Sequence, residues 1–251
     1  GFIQGSEKAW WKDEDMADVL LAKAKDFITK NSEKPFFLFF SFHDIHVPRL
    51  PHPRFQNKSK LGSRGDAILQ MDEVVGAVKK AVEEAGLAEN TLIIFTSDNG
   101  PVLNDGYTDL ADEKNGRHKP SGIYRGGKYS IFEGGHRMPT IAWWPKTIKS
   151  ATSAALWSQV DLLRSLASIC GIKIEDKIAT DSRDIHAALL GKENNGPPFL
   201  FSEAYTYAVR WHHWKYIAPT SYQHAWIWNI KRIEGGISDK PQLYDLEKDP
   251  T

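Results

Sequence analysis

The chain is poor in cysteine, has no excess of charge of either sign and has no long apolar run. A single cysteine among 251 residues excludes an intrachain disulfide. Lys+Arg and Asp+Glu both number 32, so no global field draws the chain to nucleic acid or to an anionic membrane. Any recognition of an anion must therefore be local. No run approaches the ~18 consecutive apolar residues of a membrane span. The opening G-F-I-Q-G-S-E-K does not have the pattern of a signal peptide; if the protein is exported, its signal lies outside this chain. Cys170 itself, in S-I-C-G-I-K near the end of an amphipathic stretch, reads as a small buried hydrophobe.

What remains is ordinary globular composition, 41% hydrophobic and 25% charged, in a length that suits one large α/β domain or one domain with a small appendage. Asp13 or Asp15 can cap a helix with Val19, Leu20, Ala24, Phe27 and Ile28 on one face. The dense apolar run Phe36 to Phe42, opened by Pro35, reads as a central strand buried on both faces. A helix is expected from Asp66 to Ala85, with Ile68, Met71, Val75, Val78 and Val82 inward and Gly86 as its stop. The strand Leu92 to Thr96 follows. Strand, helix and strand in this order predict a βαβ unit, and hence an α/β fold with a mostly parallel central sheet flanked by helices.

Further on, Thr140 to Trp144 reads as a strand, and Gln159 to Cys170 as a helix with Val160, Leu163, Leu166 and Ala167 inward. Gly196-Pro197-Pro198 marks a boundary between residues 1–196 and 197–251. Beyond it, Phe199–Tyr207, His213–Ala218 and Ala225–Ile230 alternate with polar turns and predict a small antiparallel sheet.

Asp98 and Asn99 come just after a strand, at the edge where ligand sites of open α/β sheets gather. A carboxylate beside an amide carbonyl offers hard oxygen ligands for Ca²⁺ or Mg²⁺, although two are too few for a cation that takes about 6–8 oxygens. An ordinary Asp-Asn-Gly turn is the alternative. Lys128, in R-G-G-K-Y-S, offers a point charge to a sulfate or phosphate oxygen where two glycines let the backbone come close, or is a solvated loop lysine. His46 sits in a proline-stiffened loop and could donate to an anion or protonate a leaving oxygen, or only bond locally. His43 and His52 make that loop His-rich, but the spacings match no usual zinc pattern. In E-G-G-H-R, Glu133 reads as a structural hydrogen-bond acceptor, while His136 faces the site or packs. Of nine tryptophans, Trp143 and Trp144 read as core, and those of the C-terminal sheet as core or sugar-stacking.

Four ordered segments carry a resemblance. They are P-F-F-L-F-F-S-F-H-D-I-H-V-P; Q-M-D-E-V-V-G-A-V followed by N-T-L-I-I-F-T-S-D-N-G; G-I-Y-R-G-G-K-Y-S-I-F-E-G-G-H-R-M-P; and A-V-R-W-H-H-W-K-Y-I with Q-L-Y-D-L-E-K-D-P. Together they resemble the second half of a sulfatase of the alkaline phosphatase superfamily, over nearly the whole chain. The resemblance implies hydrolysis of sulfate esters, on a carbohydrate such as a glycosaminoglycan, by a formylglycine nucleophile with a divalent cation, usually calcium. It matches Asp98 and Asn99 to the cation's Asp-Asn pair, Lys128 to a lysine that grips a sulfate oxygen, and His46 to a histidine that contacts the sulfate. His118, His136, His212 and His213 become candidate substrate contacts.

The chain also departs from the family. Ile45 stands where proline is usual, no C-x-P-S-R or S-x-P-S-R occurs, and the N-terminal aspartate pair is missing. The resemblance thus implies the C-terminal half of an exported enzyme, periplasmic, secreted or lysosomal, inactive without its N-terminal half. Two rivals stay open: a phosphodiesterase or phosphonate hydrolase of the same superfamily, using zinc, and a non-catalytic sulfated-glycan binding protein.

Overall fold

In the computed structural model, residues 5, 7, 10–221 and 225–250 are described; most of the opening octapeptide and Thr251 lie outside them. The chain divides into two compact units, Gly1–Thr91 with Leu103–His118, and Leu92–Val102 with Lys119–Thr251.

The first unit is built on two helices packed together, α1 (Met16–Lys30) and α2 (Gly62–Glu84). A short 3-10 turn, Asp13–Asp15, leads into α1, which buries Ala17, Ala24 and Ile28. The expected cap at Asp15 stands at the N-cap position but makes no side-chain capping bond. Helix α2 starts a turn earlier than expected, because buried Asp66 does not cap it. Its carboxylate accepts from the Asn57 and Ser59 amides at 2.8 and 2.7 Å and ties down the preceding loop. The buried line of α2, Ala67, Gln70, Val74 and Val82, falls mostly one residue before the predicted stripe. Gly86 (φ +72°) ends the helix as expected.

The run Phe36–Phe42 is extended but pairs with no strand among the described residues. Its burial alternates, with Phe37 and Phe39 74% and 81% exposed while Phe36 stacks edge-on against Phe27 of α1. This corrects the expectation of a strand buried on both faces. Such burial needs strands beside it and cover above and below, and here α1 supplies cover on one side. Accordingly, no βαβ unit is formed among the described residues.

In the second unit β1 (Ile93–Phe95) pairs antiparallel with β2 (Ile141–Trp143), Ile94 opposite Ala142. The mostly parallel pairing expected from the sequence is therefore not formed among the described residues. The connection between these two strands is the long glycine-rich stretch, whose only α-helical piece is the one-turn α3 (Glu133–His136), so no crossover helix carries the chain to a parallel neighbour.

Helix α4 (Leu162–Ile169) follows a 3-10 turn, Gln159–Asp161, and Gly171 (φ +70°) ends it. Its start is a capping box. The Ser158 hydroxyl accepts from the Val160 amide, and buried Asp161 accepts from the Ser158 amide at 2.9 Å and the Arg183 amide at 2.9 Å. The face turned inward carries Asp161 and Ser165, so Val160 and Leu163 are exposed rather than inward. Cys170, at the C-cap, is also exposed, which corrects its reading as a buried hydrophobe. A one-turn helix, α5 (His186–Leu189), lies beyond.

The C-terminal sheet is antiparallel as expected, in the order β3 (Phe199–Glu203), β4 (Tyr207–Trp211), β5 (Trp214–Ile217), β6 (Gln242–Asp245). Ala225–Ile230, predicted as a strand, lies in helix α6 (Ala225–Lys231). A short aromatic run does not separate helix from strand by period alone, and this one buries Ile227 and sets Trp226 against Tyr129 and Tyr205. The inner face of the sheet places Ala208 and Ile217 against Ile131 and Phe132, the core of this unit.

The capping box predicts a measurable cost. Ser158→Ala should lower stability by about 1 kcal/mol, the usual worth of an N-cap hydroxyl, read as a shift in the urea midpoint at unchanged m-value.

Candidate active site

Two pieces of chain in the second unit are knotted together by glycines. The turn after β1, Ser97-Asp98-Asn99-Gly100-Pro101, lies against the loop from Arg125 to Arg137. The Gly100 amide donates to Gly135 O at 3.0 Å, and the Lys128 amide donates to Pro101 O at 2.9 Å. The Gly134 amide closes the loop on Arg125 O at 2.8 Å. A Cβ at Gly100 would lie 2.0 Å from Gly134 O, one at Gly127 2.4 Å from Pro101 O, and one at Gly135 2.1 Å from Ser130 O. Backbone meets backbone here, which is why the motifs repeat glycine.

The knot brings the backbone of the Asp98–Asn99 turn against the backbone of the loop that carries Lys128. Asp98 is exposed; its Oδ1 accepts from the Asn99 amide at 2.9 Å. Asn99 Nδ2 donates to Gly100 O at 3.0 Å, which fixes the side-chain amide with Oδ1 as its acceptor atom. The Gln159 side chain donates to Ser97 O and steadies the turn from α4's lead-in. Lys128 carries its ammonium 5.5 Å from the Tyr129 ring centroid, and Tyr129 stacks on Trp226 at 5.1 Å.

The loop bearing Lys128 is fastened to the C-terminal sheet through Glu133. Its Oε1 accepts from Lys215 Nζ at 2.9 Å and its Oε2 from Arg210 Nη1 at 2.8 Å, while Arg137 lies 3.8 Å away. The carboxylate is buried, and so is Lys215, whose side chain is 2% exposed. Burial alone would push the Glu133 carboxyl up, but Lys215, Arg210 and Arg137 outweigh it and hold the group below the usual carboxylate range. Burial pushes the Lys215 ammonium down against the pull of Glu133, with Arg210 adding to the fall. The two partners differ because Glu133 faces three cations and Lys215 faces one anion and another cation; the contact distances support the charged pair.

His136 ends α3. Burial among its neighbours and then the Lys215 ammonium push its imidazole below the ordinary value, although part of the residue stays open to solvent. His212 (φ +51°) and His213 form the β4–β5 turn, and the His212 amide donates to Pro198 O at 3.2 Å. His213 presents a ring nitrogen within 4.8 Å of carboxylate oxygens of Asp245 and Glu247, with Asp245 already paired to Lys248 at 3.0 Å. These three histidines share the second unit with Asp98, Asn99 and Lys128.

His46 and His118 belong to the first unit. His46 Nδ1 bonds Val47 O at 2.9 Å, and since a carbonyl only accepts, Nδ1 is the donor in this bond. Nε2 lies 3.8 Å from the Asp105 carboxylate. Ile45 has φ +75°, a conformation closed to proline, whose ring holds φ near −65°. Proline could not stand at this position with this backbone. His118 is exposed in a turn, its amide donating to Asn115 O at 3.1 Å.

The fold and these motifs are those of the sulfatase family. The sulfatase family model matches residues 3–172, and the chain belongs to that family. It is 44% identical over its whole length to an N-acetylgalactosamine-6-O-sulfatase of Bacteroides thetaiotaomicron, and covers 49% of that protein. It is 32% identical to human arylsulfatase H over 96% of its own length and 45% of the relative's. The chain therefore spans about half the length of these curated relatives. A solved Bacteroides thetaiotaomicron structure from work on glycosaminoglycan metabolism superimposes with a TM-score of 0.94 over 98% of this chain and 52% of that one, at 44% identity. A Pseudoalteromonas sulfatase gives 0.77 over 95% of this chain and 48% of that one, at 27% identity. The α/β fold of the solved sulfatases, with its small antiparallel sheet, is thus the fold of this chain.

Sequence reasoning missed Lys215 and Arg210. The available signal was the alternation of β5, which turns Lys215 to the same face as Ile217 and so toward the core.

Two outcomes follow. Gly135→Ala should unfold or strongly destabilise the knot, by about 1–3 kcal/mol or more as overpacking does, seen as a lowered thermal midpoint. A carboxyl held low in the fold stabilises above its unfolded value of ~4.3 and loses that contribution as pH falls below it. The urea midpoint of the wild type should therefore drop more steeply below about pH 4 than that of Glu133→Gln.

Proposed function

We propose that the whole protein to which this chain belongs hydrolyses sulfate esters on a carbohydrate, and that this chain supplies part of its active site. The observation that carries the reading is the glycine knot, which ties the Asp98–Asn99 turn to the Lys128 loop by direct backbone bonds. The relative named N-acetylgalactosamine-6-O-sulfatase favours a sulfated amino sugar, as found in glycosaminoglycans, as substrate.

Asp98 and Asn99 fit part of a calcium shell, with magnesium the alternative. Both offer oxygen, Asn99 through Oδ1, the acceptor atom of its amide. Two ligands leave most of the shell to come from elsewhere in the whole protein. Bound there, the cation would supply charge to offset that of the sulfate. The formylglycine nucleophile has no counterpart in this chain and is assigned to the remaining half of the enzyme. The chain alone is accordingly inactive, and the whole enzyme is placed in an exported compartment. Among the described residues, no helix is long and apolar enough to cross a membrane.

Lys128 and His46 are the residues of this chain assigned to catalysis. The Lys128 ammonium neutralises a sulfate oxygen, at ~4 Å worth roughly 4 kcal/mol in a partly screened site before desolvation. His46, when it carries a proton on Nε2 as well as on Nδ1, gives the Nε2 proton to the leaving alcohol and is left as the neutral Nδ1–H ring. His118, His136, His212 and His213 are assigned only as candidate sugar contacts.

In the whole protein, Lys128→Ala should lower kcat for sulfate release by roughly 10²–10³, the usual loss of a charge-stabilising donor. Unchanged turnover removes Lys128 from the site. Metal analysis of the purified protein should find calcium and lose it on Asp98→Ala; zinc in its place would favour a phosphodiesterase.

A further inference from the structure

We infer that Glu133 is a positioning residue for Lys128, and that through it the C-terminal sheet sets where the lysine stands. The inference rests on the reading of Lys128 given above.

The path is short and fully bonded. Lys215 on β5 and Arg210 on β4 hold the two oxygens of Glu133 at 2.9 and 2.8 Å. The next residue, Gly134, donates to Arg125 O at 2.8 Å and has no room for a Cβ, which would lie 2.7 Å from Gly126 O. Arg125 and Gly126 stand just before Gly127 and Lys128. The Ser130 amide bonds Gly127 O at 3.0 Å, and the Phe132 amide bonds Ser130 Oγ at 3.2 Å, so the stretch between Lys128 and Glu133 is itself closed into turns. Ile131 and Phe132 are seated in the core against Ala208 and Ile217 of the same two strands. Segment 233–236 adds a further tie, with the Ile131 amide donating to Gly235 O at 3.0 Å and Arg125 pairing with Glu234. A loop fixed at Glu133 leaves the backbone of Lys128 little freedom.

The charge, and not only the shape, of Glu133 matters for this role. Lys215 is buried against the Glu133 carboxylate, and Arg210 divides itself between Glu133 and His212 O at 3.1 Å. Removing the carboxylate's charge leaves a buried ammonium uncompensated, and the loop must shift or admit water to relieve it. A shift of about 1 Å in a charge-stabilising group can cost up to roughly 100-fold in rate.

The test is a double-mutant cycle in the whole protein, following sulfate release from a sulfated N-acetylgalactosamine, with rates normalised to folded protein. Glu133→Gln should lower kcat roughly 10–100-fold while KM stays within about 3-fold. Combined with Lys128→Ala it should be no slower than Lys128→Ala alone, because Glu133 acts through that lysine. Should Glu133→Gln fail to fold, Arg210→Gln takes its place in the same cycle with a smaller loss and the same absence of additivity. Losses that multiply, or a variant that loses thermal stability but not turnover, overturn the inference alone. A Lys128→Ala enzyme at wild-type turnover overturns the reading of Lys128 itself, and the inference with it.

Discussion

A buried carboxylate held between a lysine and an arginine of the C-terminal sheet is the constraint on which the rest of the second unit depends. Glu133 lies at the start of a one-turn helix too short to hold itself, inside a loop made largely of glycine and polar residues. Such a loop has high conformational entropy and little apolar surface with which to offset it. The ion contacts to Lys215 and Arg210 supply a fixed point, and Ile131 and Phe132 beside it supply the apolar anchor. Breaking one side of a buried pair costs roughly 3–5 kcal/mol, whereas an apolar replacement of the whole set is often neutral. The arrangement is therefore better explained by placement of the loop than by net stability.

From that fixed point the glycines carry the geometry outward. The backbone approaches in the knot are closer than a Cβ would allow; those at Gly100 and Gly127 tie the Asp98–Asn99 turn to the loop of Lys128, and those at Gly134 and Gly135 close the loop on itself. With 32 charges of each sign, the chain as a whole gives an anion no reason to approach. What charge selectivity there is must come from a few groups held in place, which is what the knot provides. On the first unit, both ring nitrogens of His46 have neighbours, Nδ1 a backbone carbonyl at 2.9 Å and Nε2 the Asp105 carboxylate at 3.8 Å.

The sequence made some of this legible and hid the rest for physical reasons. Helices with clear periods were readable, and the stops at Gly86 and Gly171 were found because positive φ favours glycine. The ordered motifs identified the family, and the family model and relatives bear that out. The run Phe36–Phe42 was misjudged because an apolar segment reports what a strand could bury and not what is present to cover it. Ala225–Ile230 was misjudged because six residues are too few to show a period. Asp161 and Ser165 took the buried face of α4 from Val160 and Leu163 because their hydrogen bonds, which no hydropathy pattern reveals, bind the helix to Arg183 and Ile185. Of the candidate site, Asp98, Asn99 and Lys128 were named from strand-edge position, neighbouring glycines and motif. Lys215 and Arg210 were not, since a charged residue in a strand is ordinarily read as facing water.

The central claim is that Asp98, Asn99 and Lys128 meet one sulfate group and its cation in the whole protein. A crystal structure of that protein with calcium and a sulfated N-acetylgalactosamine tests it most directly. The account predicts an oxygen of Asp98 and the amide oxygen of Asn99 at roughly 2.3–2.6 Å from the ion, with Lys128 Nζ about 2.7–2.9 Å from a sulfate oxygen. An ion bound elsewhere, with Asn99's oxygen turned away and Lys128 in solvent, would contradict it.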